Sequence, residues 1–387
     1  MKRARAASRK AVCAFLLGSG VLLVASCGSR TGLFGEDGAS LSPDGSRTET
    51  STIDRDAGGD GPVKCTPGRF AFDLAIAQLM FVIDRSGSMA FALDGTQPSS
   101  RGNLPPGVLS RWEVLHNGLT SAITPFDTTI AMGAKFYPEV QSEDPDVDTS
   151  CATDVGVGIA PAPGNASTIL TVFDTTEPLG GTPTSEAIRI AAQYLSGARG
   201  VARTIIVATD GEPNCNADLD QFSCICTAKL PNGTEVCKEA EDGSQCLDDR
   251  RTIGIVKGIF DNQKIPVYVI GIGGSALTVL DNMAVAGGRP KPTAPRYYSV
   301  QTAAEMNEAL ASISGSVAKC TYLTPSAPTD PTAISVEIDG LPIPRDPTHT
   351  NGWDWVDQAY GTLAFFGTAC DLASGTTPSI GGVVRCD

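Results

Sequence analysis

Leu79-Met80-Phe81-Val82-Ile83 runs directly into Asp84-Arg85-Ser86-Gly87-Ser88. A short, unbroken apolar run bounded by a turn reads as a strand buried on both faces, as in a parallel sheet covered by helices. In open α/β sheets, ligands bind at the carboxyl ends of the strands. The turn after Ile83 places one acid and two hydroxyls there, two residues apart. Three hard oxygen donors in one loop suit Mg²⁺, Mn²⁺ or Ca²⁺ rather than zinc or copper.

Two later segments carry matching chemistry. Gly180-Gly181-Thr182-Pro183-Thr184 opens an amphipathic run, Ser185-Glu186-Ala187-Ile188-Arg189-Ile190-Ala191-Ala192. Thr204-Ile205-Ile206-Val207-Ala208 is a second buried-strand pattern and ends in Thr209-Asp210-Gly211-Glu212. Singly, each phrase also reads as an ordinary turn or cap; in order, and at strand and loop ends, they read as one site. On these residues the chain resembles the von Willebrand factor A domain family, the fold of integrin inserted domains and many bacterial adhesins. The resemblance covers roughly residues 67–320. It implies a doubly wound, mostly parallel sheet flanked by helices, with a metal-ion-dependent adhesion site. The family's D-x-S-x-S, its threonine from a later loop and its aspartate from a later strand end fall on Asp84, Ser86, Ser88, Thr182 and Asp210. The implied ion is Mg²⁺, or else Mn²⁺ or Ca²⁺. The implied partner is a protein presenting a carboxylate to the ion's open position.

The ends of the chain set its destination. Lys2, Arg3, Arg5, Arg9 and Lys10 precede an apolar stretch from Ala11 to Val24, which has the form of a secretory leader and is short for a transmembrane helix. Val24-Ala25-Ser26-Cys27 resembles the lipobox of bacterial lipoproteins. That implies a signal peptide over residues 1–26, lipidation of Cys27 and contact with a membrane through the lipid alone, which lipid labelling tests. Gly28 after the cysteine favours the outer membrane. Residues 27–66 read as a flexible tether, too polar and aperiodic to bury a core; its stretch 28–64, about 37 residues of such coil, spans roughly 30–35 Å. The leader holds five of the 29 basic residues and no acid, so the mature chain carries 24 bases against 43 acids, a net charge of −19. Such a surface disfavours nucleic acid and anionic headgroups.

Between the motifs, the pattern predicts helices over Ser110–Ala122, Asp249–Phe260 and Thr302–Val317, and strands over Thr129–Phe136 and Pro266–Ile270. Ile169–Phe173 fits either a short helix or a strand. The acidic stretch from Glu139 to Asp154 reads as a solvated loop, its spacing fitting no EF-hand. His116 and His349 are the only histidines, which argues against a Ser-His-Asp triad or a multi-histidine zinc centre. His116 reads as structural.

Cysteines mark the departures. Cys215, Cys224, Cys226, Cys237 and Cys246 lie in an aperiodic segment, residues 215–246, that begins five residues after Asp210. It reads as an insertion rising from the metal face. A zinc knuckle is one reading of its C-x-C; export favours disulfides. Of twelve cysteines, Cys13 falls in the leader and Cys27 is the lipid acceptor, leaving an even ten. Cys151 is the expected partner of the insertion, Cys65 with Cys320 would close the main domain, and Cys370 with Cys386 would staple a small β module at 321–387. That module shows alternating Ile334, Val336 and Ile338, a hairpin signal at Asp339-Gly340 and a strand at Thr362–Phe366; Trp353 and Trp355 read as its core.

These observations support a tethered envelope lipoprotein that binds an acidic group of a protein partner through a divalent ion and performs no catalysis. Two alternatives stand beside it. One is a structural envelope protein with an idle site. The other is a Mg²⁺-dependent phosphoester hydrolase with Asp84 as nucleophile, although that chemistry wants a second aspartate two positions on, where Ser86 stands.

Overall fold

The computed structural model describes residues 62–99, 102–139, 150–154, 156–198, 201–227, 233–239, 243–273 and 278–386. The leader, Cys27, most of the tether and the acidic residues 140–149 lie outside them.

The described residues open with two short strands, β1 (Gly68–Ala71) and β2 (Asp73–Leu74), before the decisive run forms β3 (Ala77–Asp84). Then follow α1 (Arg111–Ile123), β4 (Ile130–Tyr137), β5 (Ile159–Ala162), α2 (Ala166–Thr175), α3 (Thr184–Ser196) and β6 (Arg203–Thr209). The insertion holds one helical turn, α4 (Val236–Glu239). Beyond it lie α5 (Asp249–Gln263), β7 (Val267–Ile272), α6 (Thr278–Ala286), β8 (Tyr298–Val300) and α7 (Ala303–Lys319). These strands form one sheet in the order β5-β4-β3-β6-β7-β8, parallel except for β5 at its edge.

Side chains along β3 alternate between two cores, because successive residues of a strand point to opposite faces. Leu79, Phe81 and Ile83 meet Trp112, Leu115 and Leu119 of α1, Phe173 of α2 and Leu310 of α7. Met80 and Val82 meet Ile188 of α3, Val256 of α5 and Met283 of α6. Both faces are thereby covered, as the unbroken apolar run requires. The expected α/β, doubly wound architecture is the one observed. The undecided 169–173 segment is helical, and its Phe173 stacks against His116 with ring centroids 5.0 Å apart. Helix α1 starts where its cap dictates: the Ser110 hydroxyl accepts from Glu113 N at 3.2 Å, and Ser110 N donates to Glu113 Oε2 at 2.7 Å, a reciprocal capping box.

The remaining strands are β9 (Thr321–Leu323), β10 (Ile334–Ile338), β11 (Leu341–Ile343), β12 (Gly352–Asp357), β13 (Thr362–Phe366) and β14 (Ile380–Val384), with α8 (Thr368–Ala373) before the last. They make two antiparallel sheets, β1-β14-β10-β11 and β12-β13-β9-β2. Phe72, Tyr322, Val336, Trp353, Leu363 and Phe365 fill the space between them.

This corrects the domain boundary at 67. Gly68 pairs with Val384 and Leu74 with Tyr322, so residues 68–74 belong to the β module, and the α/β domain is inserted within a sandwich built from the segments that flank it in sequence. The expected pairs Cys65–Cys320 and Cys370–Cys386 are overturned with it: the disulfides are Cys65–Cys386 and Cys320–Cys370. The β1–β14 pairing brings Cys65 beside Cys386. Cys320, at the end of α7, meets Cys370 of α8 because β9 and β13 are neighbours.

Candidate functional site

The site forms where β3 and β6 end side by side. Ile83 is in register with Ala208, so Asp84 and Thr209 come next on adjacent strands. The Thr209 hydroxyl donates to Asp84 Oδ2 at 2.5 Å, and Ser86 N donates to Asp84 Oδ1 at 2.8 Å. After Asp84 the chain tightens into a 3-10 turn over Gly87–Ala90, which aims both serines inward. Ser86 Oγ lies 3.1 Å from Ser88 Oγ, and Ser88 Oγ donates to Asp210 Oδ1 at 3.0 Å. Asp84, Ser86, Thr182 and Asp210 are all buried.

Thr182 arrives by a different route. Gly87 N donates to Gly180 O at 3.0 Å, which ties the Gly-Gly-Thr loop to the serine turn. Asn214 then holds the threonine backbone from both sides: its side-chain oxygen accepts from Thr182 N at 2.7 Å, and its own N–H donates to Thr182 O at 3.0 Å. Four of the five expected residues are thus joined directly by hydrogen bonds, and Thr182 is fixed beside them through its backbone.

Burial sets the electrostatics. Removal from water, and then the charge of Asp210, push the Asp84 carboxyl up to about 7. Burial likewise raises Asp210, opposed by the nearby Arg111 guanidinium. Two buried carboxylates facing each other are costly to ionise unless a cation balances them. A hard cation with oxygen ligands suits two carboxylates and three hydroxyls. The residues present fit a divalent ion, and Asp84, Ser86, Ser88, Thr182 and Asp210 would hold it.

Three contributors escaped the sequence reading. Thr209 sits inside a quoted phrase but reads there as the last strand residue. Asn214 looks like a loop asparagine. Arg111 is paired with Asp210 across 99 positions of sequence, a distance no local pattern spans.

The insertion is cross-linked next to this face. Cys151 pairs with Cys215, Cys224 with Cys246 and Cys226 with Cys237. The sulfurs of Cys224, Cys226 and Cys237 cluster within 4.8 Å, but each is already bonded, leaving no thiolate for zinc. Asn214 Nδ2 donates to Thr227 Oγ1 at 3.0 Å, so one residue touches both Thr182 and the insertion. Phe222 and Ile225 stand 67% and 68% exposed on this loop.

Lys135, the lysine nearest in the sheet, is fully buried. Its ammonium bonds to Glu139 and to the carbonyls of Asp154 and Gly156 at 2.9 and 2.7 Å, and so is committed to the neighbouring loop.

No protein-family model matches the chain, and no curated protein matches it. Among solved structures it is similar to the PilB minor pilin of Streptococcus sanguinis, at 17% identity and a TM-score of 0.44, over 63% of this chain and 62% of the pilin. It is similar to the pilus adhesin SpaC of Lactobacillus rhamnosus GG at 14% identity and a TM-score of 0.41, over 82% of this chain and 40% of SpaC. Manganese-loaded TRAP protein of Plasmodium vivax gives 17% identity and a TM-score of 0.37, over 64% of this chain and 76% of TRAP. The chain thus spans about three fifths of the length of the pilin. No described helix is long and apolar enough to cross a membrane.

Proposed function

We propose that this chain is an adhesion protein of the cell envelope, exported and tethered at Cys27, whose α/β domain binds a protein partner through a divalent ion. The observation that carries the reading is the junction of β3 and β6. The Asp84 carboxylate accepts from Ser86 N there, and the Ser86 and Ser88 hydroxyls carry the chain of hydrogen bonds on to the Asp210 carboxylate, with Thr182 locked alongside. Mg²⁺ or Mn²⁺, when bound, supplies a Lewis-acidic position for a carboxylate of the partner. The chain's own part is to orient: Thr209 and Ser86 N fix the Asp84 carboxylate, Asn214 fixes Thr182, and the three neutral hydroxyls add no further negative charge to oppose an anionic ligand. The insertion, rooted beside Thr182 and presenting Phe222 and Ile225, contacts the partner and selects it.

A second reading, an envelope protein with an idle site, draws on the ion pair between Arg111 and Asp210, which already balances one carboxylate. Calorimetric titration of the full mature chain with Mn²⁺ separates the two. Wild type should bind one ion and Asp84→Ala none; identical isotherms would remove the metal from the account. Binding to the folded state should stabilise wild type by about 2.7 kcal/mol when Mn²⁺ is at 100 times its Kd.

A further inference from the structure

Arg111 opens α1 and reaches across the metal face. Its Nη1 donates to Asp210 Oδ2 and, at 3.4 Å, to the Ser88 carbonyl. The chain is shaped to receive it. Its guanidinium carbon lies 5.9 Å from the centroid of the Phe91 ring. Gly273, at φ +99°, leaves room for it: a Cβ there would come within 2.7 Å of Nε and 3.0 Å of the guanidinium carbon. The side chain is only 11% exposed, and its Nε is buried with no hydrogen-bond partner. The guanidinium is therefore enclosed but incompletely bonded, and among the described residues the acid it pairs with, Asp210, belongs to the proposed ligand set.

We propose that Arg111 is the internal counter-ion of this site and competes with the entering cation for Asp210. The proposal rests on the reading of Asp84, Ser86, Ser88, Thr182 and Asp210 as metal ligands. Asp210 divides its two oxygens, Oδ1 accepting from Ser88 and Oδ2 from Arg111. An ion that recruits Asp210 must loosen a charge-assisted bond and sit beside a fixed positive charge. A monovalent ion brings no more charge than the guanidinium already supplies. A divalent ion brings twice as much, and only such an ion has a net reason to enter. Arg111 thereby sets the charge threshold of the site, and it balances the charge of Asp210 when no ion is bound.

The test compares wild type, Arg111→Gln and Arg111→Lys in the full mature chain. The readouts are Mn²⁺ titration calorimetry and the melting temperature in chelator. Removing the competitor should tighten Mn²⁺ binding about tenfold, the scale of one charge-assisted hydrogen bond, while lowering the melting temperature of the metal-free protein. Lysine keeps the charge without the fork and should tighten binding by less, about threefold; it carries the test should the glutamine variant fail to fold. Mn²⁺ affinity that is unchanged or weaker in the folded variants overturns the competition while leaving the metal site intact. Failure of wild type itself to bind Mn²⁺ overturns both readings.

Discussion

The α/β domain and the β sandwich are assembled by opposite means. In the former, most strands are followed by a helix that covers the sheet, and the parallel pairings join strands within the one inserted segment. In the latter, β1 and β2 find partners near the other end of the chain: Gly68 pairs with Val384, and Cys65 with Cys386 across 321 residues. Local patterning can specify the first kind of structure. The second depends on closing one very long loop, which costs conformational entropy until the sandwich core repays it. The inserted domain helps here, since its first strand and last helix deliver the two halves of the sandwich to the same place.

The largest expected effect tests that division. Cross-links that close long loops constrain the unfolded chain most, by about 5 kcal/mol on the chain-entropy account. Cys65→Ser with Cys386→Ser should therefore melt the sandwich first, while hydrogen exchange in β3 and β6 stays protected. Simultaneous loss of protection in both regions would show that they fold as one cooperative unit.

Acidity should sharpen the contrast, because two carboxylates shift in opposite directions. Asp84 holds its proton up to about 7 in the folded chain, against an ordinary carboxyl value near 4. Between those values the native state binds more protons than the unfolded state, so metal-free stability of the α/β domain should fall as pH rises from 4 to 7. Asp346, in the sandwich, is held below the usual carboxylate range by the Thr348 hydroxyl and then by Asn351 N. Its stabilisation is present above the ordinary value and lost as pH falls through and below it. Local exchange in chelator should quicken in the α/β domain as pH rises from 4 to 7, whereas the Asp346 loop should stay flat there and loosen only as pH falls below about 4; Mn²⁺ should flatten the slope at Asp84. Parallel slopes would contradict this assignment.

The smallest effect on stability is expected from the insertion. Replacing residues 218–245 with a Gly-Ser linker, and Cys246 with serine because its partner Cys224 is lost, leaves Cys151–Cys215 and the Asn214 clamp on Thr182 in place. Melting should shift little and Mn²⁺ should still bind, whereas partner capture from envelope or host extract should be lost or altered. Undiminished capture by the loop-less variant would reduce the loop to decoration.

Much of the site was legible because its donors sit at positions the strand pattern fixes. Once Leu79–Ile83 and Thr204–Ala208 are buried parallel strands, Asp84 and Asp210 must emerge at the same edge, and the serines follow by turn geometry. The helix starts at Ser110 and Thr302 were equally local, each written in a cap with an acid three residues on. Asn214 was not legible, because a loop asparagine gives no sign of which backbone it will clamp. Neither was the alternative pairing of Cys65, Cys320, Cys370 and Cys386, since parity constrains a set of cysteines but not its partners.

The sequence by itself thus determined the buried strands of the α/β core and the strand-end positions of Asp84, Ser86, Ser88 and Asp210, since alternation, capping and turn chemistry act over a few residues. Only the tertiary structure decided that the sandwich is woven from the segments on either side of the α/β domain and that Arg111 faces Asp210. Those choices belong to contacts between residues far apart in sequence, whose energies depend on burial and enclosure that exist only after the chain has folded.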